Sequence, residues 1–341
     1  MVKYKITLNR LEELLNNFEN AKIGLIGDAC LYGFWEADMT VSELSPESPH
    51  FPLPVQKERY SLGAAGNAAL NIRALGAELY FISCISPNDW RGNIFKNIMA
   101  KENIDTSYLI ESGDIITPAY IKPMKKGLSS VVCEEPRIEF ANDKDFDVKL
   151  ENRIIENLKA LKGRIDLLLV CDCFLYGCMT YRVREVICSL GHSVKVIVDS
   201  KNRIDKYKNV TVKLNAADVE KLVGMNIFKG FLTENLKDAA RNISGRTQCP
   251  VYITINNTDK NGAFYHNNVT TSFGMQNDCY VEALPDGLSA DNDVFLSAVS
   301  VAAASGASGS EALEIGYLAQ NSTGKTGKNS IIENYKKWVR L

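Results

Sequence analysis

The sequence predicts an α/β protein with a mostly parallel central sheet, helices on both faces and a small β lid. Three features of the chain predict it. Short apolar runs alternate with stretches of helical spacing, most regularly from Val148 onward, and that rhythm belongs to βαβ crossovers. Runs such as KIGLIG at Lys22–Gly27 are apolar throughout, as strands buried on both faces must be. The stretch 28–60 breaks the rhythm. It holds Pro46, Pro49, Pro52 and Pro54, four of the ten prolines, and suits extended, edge-like structure outside the main sheet.

In chain order, 8–18 has the spacing of a helix and 22–27 is a strand ending in Gly-Asp. Residues 63–77 (GAAGNAALNIRALGA) open on small side chains and continue as a helix, with Ala69, Ile72 and Leu75 on one face. A strand at 79–85 and a helix at 90–101 follow. Residues 120–123 and 129–133 look like strands joined at Lys125-Lys126-Gly127, a hairpin signal. With 30–60 they form the lid, spanning about 30–60 and 115–140. From there the alternation is helix 150–161, strand 165–171, helix 180–190, strand 194–199 and strand 210–214. Helices 216–223 and 234–244, strand 251–256, a hairpin at 262–266 and 269–273, and helices 294–305 and 310–320 complete the chain. The whole, 1–341, is expected to be one large domain carrying its lid.

With 45% hydrophobic residues the chain can bury a sizeable core. Its 39 basic and 41 acidic residues give a net charge of −2, without the basic excess of a nucleic-acid binder or a charge block for a membrane surface. The N-terminus is charged and amphipathic, lacking the apolar centre of a signal peptide, and no run is long enough to span a bilayer. A cytoplasmic protein with a small-molecule ligand is expected. The nine cysteines include Cys171, Cys173 and Cys178, whose spacing is not that of a zinc site; they are expected to be buried thiols, and no metal-ligating cluster is assigned.

Open α/β sheets bind ligands beyond the carboxyl ends of their strands. That singles out Asp28, Asp172, Asp199, Asn215, Asn256 and the loop before Val294. The loop, DGLSADND at 286–293, precedes a helix whose unpaired N–H groups suit an anion. Asp293 at that helix start is either its N-cap or a base.

These residues stand in an ordered set. Gly27-Asp28 follows the first strand, then come Ser45-Pro46-Glu47-Ser48-Pro49 and Leu62-Gly63-Ala64-Ala65-Gly66-Asn67. Val198-Asp199-Ser200-Lys201, Leu214-Asn215-Ala216-Ala217-Asp218, the small-residue helix after Asp293 and Gly324-Lys325-Thr326-Gly327 complete it. The set resembles the ribokinase/PfkB carbohydrate kinases from about residue 20 to 330. It is most similar to the D-glycero-beta-D-manno-heptose 7-phosphate kinases, which show I-S-P-E-A-P, L-G-G-A-G-N, D-P-K and P-N-x-x-E in that order. The resemblance implies a ribokinase-like fold, ATP and Mg²⁺ as cofactors, a sugar or sugar phosphate as acceptor, and a homodimer formed through the lid. It places Asp293 on the catalytic base. The nucleotidyltransferase domain often fused to such kinases is expected to be absent.

Residue by residue, the resemblance puts Asp28, Gly63, Gly66 and Asn67 at the sugar. Alone, Asp28 is equally a turn residue, the glycines equally a tight turn before a helix, and Asn67 equally a polar residue satisfied in a helix's first turn. Asn215, Asp218 and Asn256 fall at the nucleotide and its phosphates; Asn215 by itself is also a helix N-cap, and Asp218 is one carbon shorter than the family's Glu. Ala290, Asp291 and Asn292 stand where the family has Gly-Ala-Gly, the loop whose amides hold the transferring phosphoryl group. The second Asp of the family's G-D-x-x-x-D falls on Tyr32, the Lys of D-Y-x-K-G is missing after Asp172, and the first Gly of T-x-G-x-x-G is Asn256. Two functions therefore follow: an ATP-dependent sugar kinase, or a catalytically impaired kinase-fold protein that binds sugar or nucleotide without phosphotransfer. The P-loop-like AQNSTGKT at 319–326 follows a helix rather than a strand and is set aside, as is a dinucleotide fold, since no G-x-G-x-x-G follows the first strand.

Overall fold

The computed structural model describes residues 6–229, 232–256, 261–266, 279–282, 292–320 and 326–339. Among the described residues the main sheet has nine strands. Seven are parallel, in the order β12 (Val251–Asn256), β11 (Thr211–Asn215), β10 (Lys195–Ser200), β9 (Leu167–Asp172), β1 (Lys22–Gly27), β4 (Glu78–Ile85) and β5 (Leu109–Glu111). On the β12 side, β13 (Asn261–His266) and β14 (Cys279–Glu282) add an antiparallel edge.

Strand alternation feeds two cores. On β9, Leu167, Leu169 and Cys171 enter one, while Leu168 and Val170 enter the other. The first core is closed by α1 (Leu8–Asn17), α2 (Ala65–Ala74), α3 (Trp90–Lys101), α8 (Asn292–Ala304), α9 (Gly309–Gln320) and α10 (Lys328–Val339). The second is closed by α4 (Val148–Ala160), α5 (Tyr181–Leu190), α6 (Ala216–Val223) and α7 (Leu232–Thr247). The helices begin where short polar side chains take up free amides: Asp89, Asp147, Thr180 and Asn215 each cap one.

The lid is a second sheet, ordered β3 (Val55–Ala64), β2 (Ala29–Asp38), β6 (Ala119–Lys126) and β7 (Val132–Glu134), with β8 (Ile138–Phe140) also on β6. Only Asp28 separates β1 from β2. Val41, Leu44, Phe51, Leu128, Val131 and Val132 are exposed in the lid segment.

Two findings depart from the sequence reading, and one expectation is not tested. The small residues before α2 belong to β3, because Gly63 pairs with Cys30 and Ala64 with Ala29; the turn into the helix falls on Ala64 at φ 48°, ψ −129°. The strands β5 and β8, three residues each, and the mostly polar α10 carry too little apolar periodicity to be foreseen. The expected strand 269–273 lies outside the described residues, and β14 pairs with β13.

Candidate active site

The loop after β9 is clamped from two sides. From β1, the Asp28 side chain is 3% exposed and accepts three backbone N–H groups: Cys173 at 3.1 Å and Phe174 at 3.0 Å on Oδ2, and Cys178 at 2.7 Å on Oδ1. Gly177 permits this, since a Cβ there would stand 2.1 Å from Oδ1. Burial pushes the Asp28 carboxyl up to about 6, against the downward pull of the amides and with a further push from Asp172. From the other side, Arg203 donates to the carbonyls of Leu175 (2.8 Å) and Phe174 (2.6 Å) and pairs with both oxygens of Asp172. Asp172 also accepts from Ser200 Oγ at 2.7 Å and from the Tyr207 hydroxyl at 3.0 Å. Burial, and then the charge of Asp172, holds the Tyr207 hydroxyl far above its usual range.

This loop carries Phe174 and Cys173 to the inner face of the lid. There Tyr32 and Tyr120, register partners on β2 and β6, stack at 5.9 Å, and Tyr120 meets Phe174 at 5.6 Å. The Tyr32 ring lies over Gly63, where a Cβ would stand 2.4 Å from it. Cys30 completes the cluster; burial pushes its thiol up to about 12, so it stays neutral.

Asp293 starts α8. Asn67, in the first turn of α2, donates its Nδ2–H to Asp293 Oδ2 at 2.8 Å. The two helices are fixed to each other by Ser297 Oγ, which donates to the Ala68 carbonyl at 3.3 Å. Asp293 also faces Tyr32, raising its hydroxyl pKa after burial and Cys30 have done so. The structure thus brings Asp293 and Asn67 together beside the lid. Gly66 instead packs α2 on α3, since a Cβ there would meet Leu62 and Phe95 at 2.9 Å.

Farther along the sheet, Asn215 caps α6 by accepting the Asp218 N–H at 2.9 Å. Asp218 is half-buried, which raises its carboxyl pKa. Lys213, two residues before Asn215 on β11, has a side chain only 3% exposed and pairs with Asp199 at 3.1 Å. Sequence reasoning missed it, although a lysine inside the apolar strand TVKLN is a visible anomaly. A cavity of about 220 Å³ opens here among Ser200, Lys201, Asp218 and Lys221. Asn292 accepts Thr254 Oγ1 at 3.1 Å. The Asn256 backbone pairs with Asn261 at the end of β12. Ala290 and Asp291 lie outside the described residues. Lysines beside a half-buried carboxylate fit a polyphosphate with a divalent cation.

Comparison with known proteins bears on these residues. The family model for pfkB family carbohydrate kinases matches residues 31–334. A bifunctional protein HldE of Nitratiruptor is 28% identical over 225 residues, 64% of this chain and 44% of that protein. A D-beta-D-heptose 7-phosphate kinase of Bordetella bronchiseptica is 26% identical over 211 residues, 60% of this chain and 62% of that one. The chain thus spans less than half the length of this bifunctional relative. In fold, it matches Escherichia coli phosphofructokinase-2 in complex with fructose-6-phosphate (TM-score 0.69, 15% identity, 94% of this chain and 99% of the other). It also matches Arabidopsis thaliana ribokinase complexed with ribose and ATP (TM-score 0.65, 16% identity, 93% and 99%).

Proposed function

The chain belongs to the pfkB family of carbohydrate kinases, and from that premise we propose that it transfers a phosphoryl group from ATP to a hydroxyl of a sugar or sugar phosphate, of the heptose 7-phosphate type. The observation that carries the reading is the Asn67–Asp293 pair at the mouth of α8. ATP with Mg²⁺, when bound, supplies the phosphoryl group and a cation that spreads its charge. Lys213, Lys201 and Lys221 would hold phosphates, with Asn215 beside them and Asp218 facing the cation. Asp293 takes the acceptor's hydroxyl proton onto its carboxylate, and the Asn67 amide keeps that carboxylate oriented. The positive end of the α8 dipole faces the same point. The S-P-E-S-P segment and the relatives named for heptose 7-phosphate support that acceptor. The exposed apolar residues of the lid support a homodimer closed lid to lid, working in the cytoplasm where ATP is at hand.

A second reading has its own observation. Ala290-Asp291-Asn292 replaces a glycine loop, and the Asn292 side chain is tied to Thr254. Cβ-bearing residues there work against an amide nest, and losing one such donor costs about 2.7–4 kcal/mol of transition-state binding. That favours a binder without phosphotransfer. A coupled ADP-release assay with heptose 7-phosphate and a hexose panel decides between them, alongside thermal-shift titrations with each ligand. Acceptor-dependent ADP release that Asp293→Asn removes supports the kinase. Ligand stabilisation without turnover, with activity gained by Ala290→Gly, Asp291→Ala and Asn292→Gly together, supports the binder.

A further inference from the structure

We propose that Arg203 is a positioning residue that ties the phosphate cavity to the loop after β9, so that an anion in that cavity holds the loop, and the lid packed on it, in place for the acceptor. This rests on the reading of the cavity at Lys201 and Lys221 as the nucleotide's phosphate site.

Arg203 belongs to the segment that walls the cavity, yet its side chain leaves it. Ser200, Lys201, Asn202, Ile204 and Asp205 line the cavity on either side of it in sequence. The guanidinium goes instead to the end of β9 and the loop. Its Nε donates to Asp172 Oδ2 at 3.1 Å, Nη1 to the Leu175 carbonyl at 2.8 Å, and Nη2 to the Phe174 carbonyl at 2.6 Å and to Asp172 Oδ1. One planar fork therefore bridges a carboxylate and two successive carbonyls. The Arg203 side chain is 17% exposed and that of Asp172 is 0%, so water competes little for these bonds.

The same segment is fastened to Asp172 at two further points. The Lys201 N–H donates to the Asp172 carbonyl at 3.1 Å. Ser200 Oγ accepts the Arg203 N–H at 3.1 Å and donates to Asp172 Oδ2 at 2.7 Å. An anion drawn in by Lys201 and Lys221 fixes a segment already bonded to Asp172 through three of its residues. The loop carries the constraint onward: the Phe174 N–H is on Asp28, and its ring meets Tyr120 of the lid at 5.6 Å. Such coupling is reciprocal, so whatever holds the loop from the lid side favours the anion by the same factor.

The test is amide hydrogen exchange on the full chain, with and without adenylyl imidodiphosphate and Mg²⁺, and it needs neither turnover nor an acceptor. In wild type the nucleotide should slow exchange about fivefold or more both in 200–206 and in the loop amides of 173–178. Arg203→Lys keeps a cation beside Asp172 but cannot also bridge the two carbonyls. In that variant the slowing at 200–206 should persist while that of the loop falls below about twofold. A merely structural Arg203 would change loop exchange equally with and without nucleotide. Lys206→Ala is the control, since that side chain is exposed and pairs only with Asp205 among the described residues; it should transmit as wild type does. Near-ultraviolet circular dichroism checks that each variant is folded. Ser200→Ala serves if Arg203→Lys is not, and should at least halve the loop's slowing. Slowing confined to 200–206 in wild type, or loop slowing retained in Arg203→Lys, overturns the coupling and leaves the kinase reading standing. No slowing at 200–206 overturns both.

Discussion

Replacing Gly177 with alanine puts a methyl carbon 2.1 Å from Asp28 Oδ1 and 2.7 Å from its Cγ. Neither group has slack: the carboxylate is buried, and the loop is strapped by Arg203. Relief requires moving Oδ1 by about 1 Å, which breaks the 2.7 Å bond from Cys178 and strains the two bonds on Oδ2. Hydrogen bonds to a charged acceptor are worth about 1.5–3 kcal/mol each. One lost and two strained put the expected destabilisation at about 3 kcal/mol. In urea unfolding with a slope of about 3 kcal/mol per molar, the midpoint should fall by about 1 M. Gly127→Ala is the control, because nothing lies within 4 Å of its added Cβ; it should shift stability by less than about 0.5 kcal/mol. In an Asp28→Ser background the shorter side chain makes room, so Gly177→Ala should cost clearly less, a non-additivity that only contact explains. A Gly177→Ala midpoint within about 0.2 M of the parent would refute the clamp.

Further outcomes follow from the same geometry. The Asp28 carboxyl sits at about 6 in the fold against an ordinary 3.8, so the folded chain holds this proton more tightly than the unfolded one. Its contribution to stability is full below about pH 4 and lost as pH rises through 6. Wild type should therefore gain about 2.4 kcal/mol relative to Asp28→Asn as pH falls from 7 to 4, and a flat difference across that range refutes it. Ala64 holds φ 48°, ψ −129°, where only glycine is at ease. Ala64→Gly should stabilise by about 1 kcal/mol, strain relief of about 1–3 less the entropy of glycine, and a lower urea midpoint would contradict this. Lys213→Met should lower ATP affinity about tenfold or more in calorimetric titration, as loss of a charge-assisted phosphate contact requires; unchanged affinity removes Lys213 from the phosphate site.

Much of the fold was legible because its signals are local. The β1 and β12 strands and the α3 and α6 helices fall at the residues that apolar runs and N-caps indicate. The end of β3 was not legible: GAAG looks like the start of a helix, and only pairing with β2 keeps Gly63 and Ala64 in a strand. The site divides the same way. Motif order named Asp293 and Asn67, but their contact joins positions 226 apart and depends on α8 lying along α2. Asp28 was visible as a residue after a strand. Its engagement with 173–178 was not, because it arises from the parallel pairing of β1 with β9, which sets Gly27 beside Cys171. Lys213 could have been found, since an apolar strand rarely carries an ammonium group without a use for it.

The neck of the lid joins two parts of the molecule that look separate. The chain leaves β1 and becomes β2 through Asp28 alone, and the returning strand is stitched at the same level, with the Ala65 N–H donating to the Asp28 carbonyl at 3.2 Å. A swing of the lid about this wrist turns the Asp28 backbone, and its side chain is gripped by the segment that holds Phe174. Tilting the lid and re-aiming that phenyl ring are then one movement with a shared pivot. A load on the lid would be felt at Arg203 on the far side of the loop.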